Sequence, residues 1–255
     1  MLLLTTCSQR KGGMIIAGST SIQPFIEKIA EHFMEENPRI QINVQGGGST
    51  AGILATFNRT CQIGISSRDL KVSEKGLKTF LLAVDGIAVI VHKDNPIDDL
   101  SLYQIQGIFS GTIKNWSELG EMNGKIIPVT REEGSGTRGA FEDMVMGDRV
   151  ISDACLVQDS NGAVREIIAT TVQGIGYISV GLVDEREKAL AINGINPTLV
   201  NLMTCKYRFT RPFLLLVNEE PTGDIKKFID YALSDKGQQI LKGEGLISGD
   251  EIGDD

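Results

Sequence analysis

Three short turns rich in glycine, serine and threonine carry most of the chemistry that this sequence offers. They read GSTS (residues 18–21), GGGST (46–50) and GSGT (134–137), and each stands between an apolar, strand-like run and the start of a helical pattern. A helix N-terminus leaves several backbone N–H groups without partners and carries partial positive charge, so it attracts an anion. Glycine permits close approach of the backbone, and the hydroxyls add donors. In any single turn these residues could merely cap the helix; three such turns together favour anion binding.

Arginines strengthen this interpretation. Arg131 and Arg138 flank the third turn, and Arg68 follows two serines in SSRD. A guanidinium group offers a planar fork of donors that matches a tetrahedral oxyanion. The alternative is that these arginines form ion pairs with neighbouring carboxylates, for which the candidates are Glu132, Glu133 and Asp69.

Several other kinds of site are disfavoured by composition and spacing. The sequence contains no G-x-x-x-x-G-K-[ST] or G-x-S-x-G pattern, which argues against a P-loop and a nucleophile elbow. The stretch GSGTRG (134–139) has G-x-G-x-x-G spacing, but it lacks the lysine that would reach the terminal phosphates of a nucleotide. Only two histidines, His32 and His92, are available for a metal site or a catalytic triad. A formal net charge of -8 argues against a generic nucleic-acid surface. We therefore expect no metal, no cofactor and no nucleic-acid partner.

The hydrophobic pattern predicts an α/β fold. Apolar residues of the segment from Ile22 to Met34 recur every three or four positions, as in an amphipathic helix that Thr20 or Ser21 would cap. Strand-like runs such as MIIAG, RIQINVQ, QIGIS, DGIAVIVH, KIIPVT, IGYISV and RPFLLLVN alternate with helical segments, and two helices follow Thr222. Weaker strands are expected up to Cys205. This alternation favours a largely parallel sheet.

The N-terminal stretch MLLLTTC resembles a bacterial lipoprotein cleavage box, which predicts lipidation at Cys7. Residues 1–12 would then form a leader and tether, and the alternative is the remnant of a clipped leader. The apolar run is too short to span a bilayer, and no other segment has the ~18 apolar residues that a span requires. The remaining cysteines, Cys61, Cys155 and Cys205, are expected to be small buried residues.

Taken together, the motifs resemble the phosphate-binding proteins that serve bacterial phosphate ABC transporters. The resemblance lies in IAGSTSIQPFIEKIAEHF, GGGSTAGI, IGISSRDL, DGIAVIVH, REEGSGTRGAFE, SNGAVREIIA and GIGYIS. It implies a two-lobed, periplasmic-binding-protein-like clamshell of type II with a discontinuous first lobe. Residues 13–92 and 210–255 would form lobe 1 and residues 93–209 lobe 2, with the chain crossing near 91–96 and 209–217.

The resemblance also implies a set of phosphate-binding residues. These are Thr20, Ser21, Ser49, Thr50, Ser67, Arg68, Asp85, Arg131, Ser135, Gly136 and Thr137. Ser67 stands where some relatives place an aspartate, so the acceptor role would pass to Asp85. A carboxylate there would accept a hydrogen bond from the proton that phosphate retains and would repel sulfate, which has no proton. Asp85 could instead pair with Arg68 or serve as a turn residue.

The resemblance implies an extracytoplasmic, monomeric protein that captures phosphate and hands it to an ABC permease. Two alternatives stay open: a receptor for sulfate or molybdate, and a phosphoryl-transfer or phosphatase enzyme that uses a serine or threonine nucleophile. Against the enzyme alternative, the sequence shows no evident base or metal cluster to activate such a hydroxyl.

Overall fold

A sheet of nine strands runs through the computed structural model of the protein, which describes residues 13–120 and 122–251. Its strands are β1 (Met14–Gly18), β2 (Ile42–Gly46), β3 (Ile63–Ser66), β4 (Lys78–His92), β6 (Ile127–Arg131), β7 (Leu156–Gln158), β8 (Gly174–Ser179), β9 (Glu187–Ala189) and β11 (Thr210–Val217). Two further short strands, β5 (Asp99–Leu100) and β10 (Ala191–Ile192), pair with each other.

Eight α-helices occur among the described residues. They are α1 (Gln23–Glu36), α2 (Ser49–Phe57), α3 (Leu102–Phe109), α4 (Gly136–Phe141), α5 (Asn161–Thr170), α6 (Leu199–Met203), α7 (Gly223–Leu233) and α8 (Asp235–Gly243). The three-to-four-residue spacing in α1 places Phe25, Ile29 and Phe33 on one buried face, as the sequence predicts. None of the helices in the described ranges combines the length and the apolarity that crossing a membrane requires.

The sheet is mixed rather than largely parallel. Strand order is β2-β1-β3-β11-β4-β8-β6-β7, with β9 also paired to β4. Pairs formed by β1 and by β6 are parallel, whereas β4 and β11 pair antiparallel to all their neighbours. The prediction of a largely parallel sheet is wrong because the two central strands, β11 and β4, are antiparallel to each other, and each is also antiparallel to the flanking group beside it.

The long strand β4 joins the two lobes. Residues 78–86 pair with β11, and residues 87–91 pair with β8. We call the group β1, β2, β3 and β11 with the first part of β4 lobe 1, and the group β6, β7, β8 and β9 with the rest of β4 lobe 2. The change of partner between Gly86 and Ile87 lies several residues before the predicted crossing point.

Each lobe has its own apolar core. In lobe 1, Phe25 and Phe33 of α1 pack with Phe213 and Phe228. In lobe 2, the aromatic side chains Phe109, Phe141 and Tyr177 pack together, and the rings of the last two stack with centroids 3.9 Å apart. Ile87, Val89 and Val91 also belong to this second core, so residues 87–91 pack with lobe 2 although the sequence placed them in lobe 1.

Three other expectations from the sequence need comment. The first part of β4 was not predicted, and α6 lies where weak strands were expected. Cys61 and Cys155 are buried as expected, but Cys205 is exposed, because it follows α6 in a turn with a φ of 53°. Cys7 and residues 1–12 lie outside the described residues.

Candidate functional site

The predicted hydroxyl residues meet where the two lobes touch. β1 and β3 are adjacent and parallel, so the residues after their carboxyl ends lie together at one edge of the sheet. Ser19 and Ser67 follow these two strands, and Ser19 Oγ donates to Ser67 Oγ at 2.8 Å. Across the interface, β6 ends at Arg131 and leads into α4. The sheet therefore brings all three glycine turns to one contact.

The first turn does not cap α1 in the predicted way. The N-cap position is Ile22, without a side-chain cap, and the Ser19 hydroxyl accepts from the Ser21 N–H at 3.2 Å. The hydroxyls of Thr20 and Ser21 instead reach lobe 2. Ser21 Oγ lies 2.8 Å from Thr137 Oγ1, and Thr20 Oγ1 accepts from Arg131 Nη2 at 3.2 Å. These two side chains are thus available for contacts across the cleft.

The second turn behaves similarly. Helix α2 begins at Ser49 after Gly48, whose φ of 87° suits glycine, and has no side-chain cap. Ser49 Oγ accepts from the Ser67 N–H at 3.1 Å and lies 3.3 Å from the Ser67 hydroxyl. The backbone N–H of Thr50 donates across the lobe contact to the carbonyl of Gly134 at 3.1 Å. Neither Ser49 nor Thr50 therefore caps α2 with its side chain.

The third turn is a capped helix start. Ser135 is the N-cap of α4, and its hydroxyl accepts from the Arg138 N–H at 3.2 Å. The next two residues, Gly136 and Thr137, occupy the first helical positions, where backbone N–H groups have no partner within the helix. A Cβ atom on Gly136 would lie only 2.2 Å from Ser49 Oγ. Glycine at this position therefore lets α4 approach the hydroxyl cluster.

Arg131 lies in the wall of lobe 2 with only 1% of its surface exposed. Its guanidinium donates twice to the Glu132 carboxylate at 2.9 Å and also to the carbonyls of Gln158 and Asp159. It reaches lobe 1 through Thr20. The expected pairing with Glu132 is thus present, and it holds the guanidinium at the lobe contact.

Arg68 and Arg138 are directed elsewhere. Arg68 donates two hydrogen bonds to the Glu74 carboxylate, at 2.7 and 2.8 Å. Hydrogen bonding from Arg68 lowers the pKa of Glu74. The Arg68 guanidinium also donates to the Asp69 carbonyl and to Thr50 Oγ1. Arg138 pairs with Glu142. The Arg68 guanidinium lines the same pocket as Ser135 and Arg211, and its predicted contact with phosphate stays a prediction.

Asp85 forms a buried ion pair that the sequence did not predict. One of its oxygens accepts from Arg211 Nε and Nη2 at 3.1 and 2.9 Å, and the other accepts from Ser179 Oγ at 2.8 Å. Burial raises the pKa of Asp85, while the charge of Arg211 opposes this shift. Asp85 is therefore the counterion of Arg211 rather than of Arg68, and its predicted role as phosphate acceptor stays a prediction.

Two residues that the sequence reasoning missed contact Ser21. Arg211 Nη2 donates to Ser21 Oγ at 3.2 Å, and the side chain of Asn161, at the start of α5, lies 2.8 Å from the same hydroxyl. With its amide oriented to satisfy all neighbours, the Asn161 oxygen accepts from Ser21 and from Arg131 Nη1. Asn161 lies within the motif SNGAVREIIA, which is a sequence signal for its importance. Only the pairing of β11 with β4 could have revealed Arg211.

The resulting site is buried and rich in donors. Its members are Thr20, Ser21, Ser49, Ser67, Arg131, Ser135, Gly136, Thr137, Asn161 and Arg211. Two surface pockets reach it. One, of about 320 Å³, is lined by Ser135 and Arg211 among others, and the other is lined by Thr20 and Glu132 among others. Within 13–120 and 122–251, no group of three or more His, Cys, Asp or Glu residues is placed to hold a metal ion.

The fold and this cleft define a two-lobed binding protein of the periplasmic-binding-protein class. A family model described as a PBP superfamily domain matches residues 5–236. The chain is 36% identical over 242 residues to the phosphate-binding protein PstS of Bacillus subtilis (strain 168), with 92% of this chain and 80% of the relative covered. Identity to PstS of Borreliella burgdorferi is 27% over 261 residues, covering 96% and 94%.

Solved structures agree with these relatives. A substrate-binding protein with bound phosphate from Clostridium perfringens is 40% identical and superposes with a TM-score of 0.90, covering 93% of this chain and 99% of that one. An ABC-type phosphate transport receptor from Vibrio cholerae is 36% identical, with a TM-score of 0.76 and coverage of 92% and 99%. The chain therefore belongs to the PBP superfamily and, within it, to the family of phosphate-binding proteins that includes PstS. The resemblance seen in the motifs and the predicted fold class are confirmed.

Proposed function

We propose that this protein binds inorganic phosphate between its two lobes and delivers it to the permease of an ABC transporter. The observation that carries the proposal is the cluster at the lobe contact, where Ser21 of lobe 1 meets Thr137 of lobe 2 beside the buried Arg131. Neither lobe alone supplies all these donors. A tetrahedral anion placed here would receive hydrogen bonds from both walls and stabilise the closed arrangement.

The chemistry of the cluster suits phosphate better than a fully deprotonated anion. Serine and threonine hydroxyls both donate and accept hydrogen bonds, so Ser21, Ser49 and Thr137 can donate to anionic oxygens and accept a hydrogen bond from the O–H that phosphate retains near neutral pH. Sulfate has no proton to donate and would leave an acceptor unpaired. The names of the relatives, which are phosphate-binding proteins, support the same choice of anion.

A binding role is favoured over phosphoryl transfer. A nucleophilic hydroxyl needs a base that removes its proton. In the part of the chain that the structure describes, Ser21, Ser49, Ser67 and Thr137 hydrogen-bond to one another, to Ser19, Asn161 and Arg211, and not to a histidine or carboxylate. We accordingly assign no catalytic residue, and we expect the protein to act as a monomer.

The location follows from this role. A protein that supplies an import permease works outside the cytoplasm, at the outer face of the cytoplasmic membrane or in the periplasm. Lipidation at Cys7 would tether it there, and this part of the proposal comes from the sequence LTTC alone. Mass spectrometry of protein recovered from bacterial membranes tests it, since an unmodified Cys7 in processed protein would contradict the anchor.

Isothermal titration calorimetry with phosphate, sulfate and molybdate tests the proposed function. We expect saturable one-to-one binding of phosphate and much weaker heats with the other two anions. A parallel assay with a chromogenic phosphate ester should show no turnover. Preference for sulfate or molybdate would identify a different oxyanion receptor, and steady release of the chromophore would favour an enzyme.

A further inference from the structure

The buried side chain of Arg211 has more hydrogen-bonding capacity than its protein neighbours satisfy. Arg211 is 3% exposed, and among the described residues its Nη1 has no hydrogen-bond partner. Its Nε and Nη2 are used by Asp85 and Ser21. A buried donor on a charged group is costly when unpaired, and such groups in native structures nearly always have a partner. Nη1 therefore remains available to an acceptor from outside the protein, and Arg211 lines the pocket through which a small anion could reach it.

Arg211 also lies close to the other buried arginine of the site. Arg211 bonds to Ser21, Ser21 bonds to Asn161, and the Asn161 oxygen can accept from Arg131. Burial lowers the pKa of Arg211, and the positive charge of Arg131 lowers it further, although Asp85 opposes both effects. Glu132 and Asp85 each neutralise one of the two guanidinium groups, and an anion placed between them would be attracted by both.

The sheet fixes the position of Arg211. Arg211 of β11 and Asp85 of β4 are directly opposed in the antiparallel ladder, so the ion pair is a cross-strand pair. Ser179, at the end of β8, holds the second Asp85 oxygen at 2.8 Å. The guanidinium is thus set by three central strands rather than by a loop. Such rigid placement is what a binding group needs if it is to meet a small ion without reorganisation.

We propose that Arg211 is a second arginine ligand of the bound anion and that Asp85 orients it. The inference rests on the proposed function, since it places Arg211 on the phosphate that the cleft would hold. Phosphate would then lie between Arg131 from lobe 2 and Arg211 from β11, with the Ser21 hydroxyl between them. In this arrangement Asp85 neutralises and orients the guanidinium instead of accepting a hydrogen bond from the anion.

The test compares phosphate titrations of three proteins. Arg211→Gln alone would leave Asp85 buried without its partner, so the informative variant is Asp85→Asn/Arg211→Gln, which removes both charges together. Arg208→Gln is the control for the same arginine-to-glutamine change outside the site, because Arg208 is exposed. We expect a loss of affinity of about a hundredfold in the double variant and less than about threefold in the control. A thermal unfolding midpoint close to that of the wild type would show that the double variant is folded.

Each outcome is decisive. If the folded double variant loses less than about tenfold in phosphate affinity, the Asp85–Arg211 pair has only a structural role and the proposal is overturned. A phosphate loss accompanied by a gain in sulfate affinity would assign the effect to Asp85 as an acceptor, which also overturns it. If the double variant does not fold, Arg211→Lys keeps the charge but loses the fork, and undiminished binding there would reject the ligand role. Failure of the wild type to bind phosphate would instead refute the proposed function.

Discussion

Replacing Gly136 by alanine adds a single methyl group, which should weaken phosphate binding without destabilising the folded protein. A Cβ atom there would lie 2.2 Å from Ser49 Oγ and 2.6 Å from Ser67 Oγ, well inside van der Waals contact. Gly136 is the first residue of α4, and its φ lies outside the left-handed region. Alanine is therefore acceptable to the backbone of lobe 2, and the clash arises only when the lobes close.

The expected size of the effect follows from the contacts that closure makes. Holding the walls apart by about an ångström would weaken the Ser21–Thr137 contact and the reach of Arg131 to the anion. Losing one hydrogen bond to a charged group costs about 1.5–3 kcal/mol, so phosphate affinity should fall by roughly ten- to a hundredfold. The free energy of unfolding without ligand should stay the same or rise by up to about 1 kcal/mol, because alanine restricts the unfolded chain.

Gly139→Ala is the matched control for this prediction. Gly139 lies in the same helix, but its Cβ would lie 3.5 Å from Arg68 Cδ, an ordinary contact distance. Calorimetric titration should show near-wild-type binding for Gly139→Ala and weak binding for Gly136→Ala, with both proteins folded by circular dichroism. Wild-type affinity in Gly136→Ala would refute closure of α4 onto the hydroxyl cluster, and equal losses in both variants would show that the effect is not specific to the cleft.

The remaining predictions concern the cleft arginine, closure, metal independence and pH. Arg131→Ala should lower phosphate affinity by roughly thirty- to several-thousand-fold, equivalent to about 2–5 kcal/mol; calorimetry with unchanged affinity would remove Arg131 from the site. Small-angle scattering should show the wild type compacting on phosphate addition, and Arg131→Ala compacting only at much higher concentrations. Addition of EDTA should leave phosphate binding unchanged, and a strict metal requirement would contradict the site as described. Burial raises the pKa of Tyr177 to about 12, so its stabilising effect is present below pH 10 and is lost as pH rises towards 12. In denaturant titrations, the stability advantage of the wild type over Tyr177→Phe should therefore shrink by about 1 kcal/mol between pH 9 and pH 11; a constant difference would contradict the raised pKa.

Local patterns predicted the helices and most strands because each depends on neighbouring residues. The periodic apolar face of α1 and the runs of β6, β8 and β11 were visible in the sequence. Sheet direction depends instead on contacts between distant segments, so the antiparallel placement of β4 and β11 was missed. The exposed, short helix α6 was missed because it buries little apolar surface and leaves a weak periodic signal.

The candidate site shows the same division. The turns around Ser21, Ser49 and Gly136 were identified from residue types, and the structure brings all three together. What the sequence could not supply was the partner of each charged group. Arg211 stands in an ordinary strand sequence, and only its cross-strand register with Asp85 reveals a buried ion pair. Arg68, which adjoins a motif, is instead held by Glu74, six residues further along the chain.

A crystal structure of the protein grown with inorganic phosphate tests the central claim most directly. We expect one phosphate at the lobe contact, within hydrogen-bond distance of the Ser21 and Thr137 hydroxyls and the Arg131 guanidinium, with α4 closed on Ser49. Phosphate bound elsewhere on the surface, or a cleft that stays empty at saturating phosphate while the lobes remain closed, would contradict it.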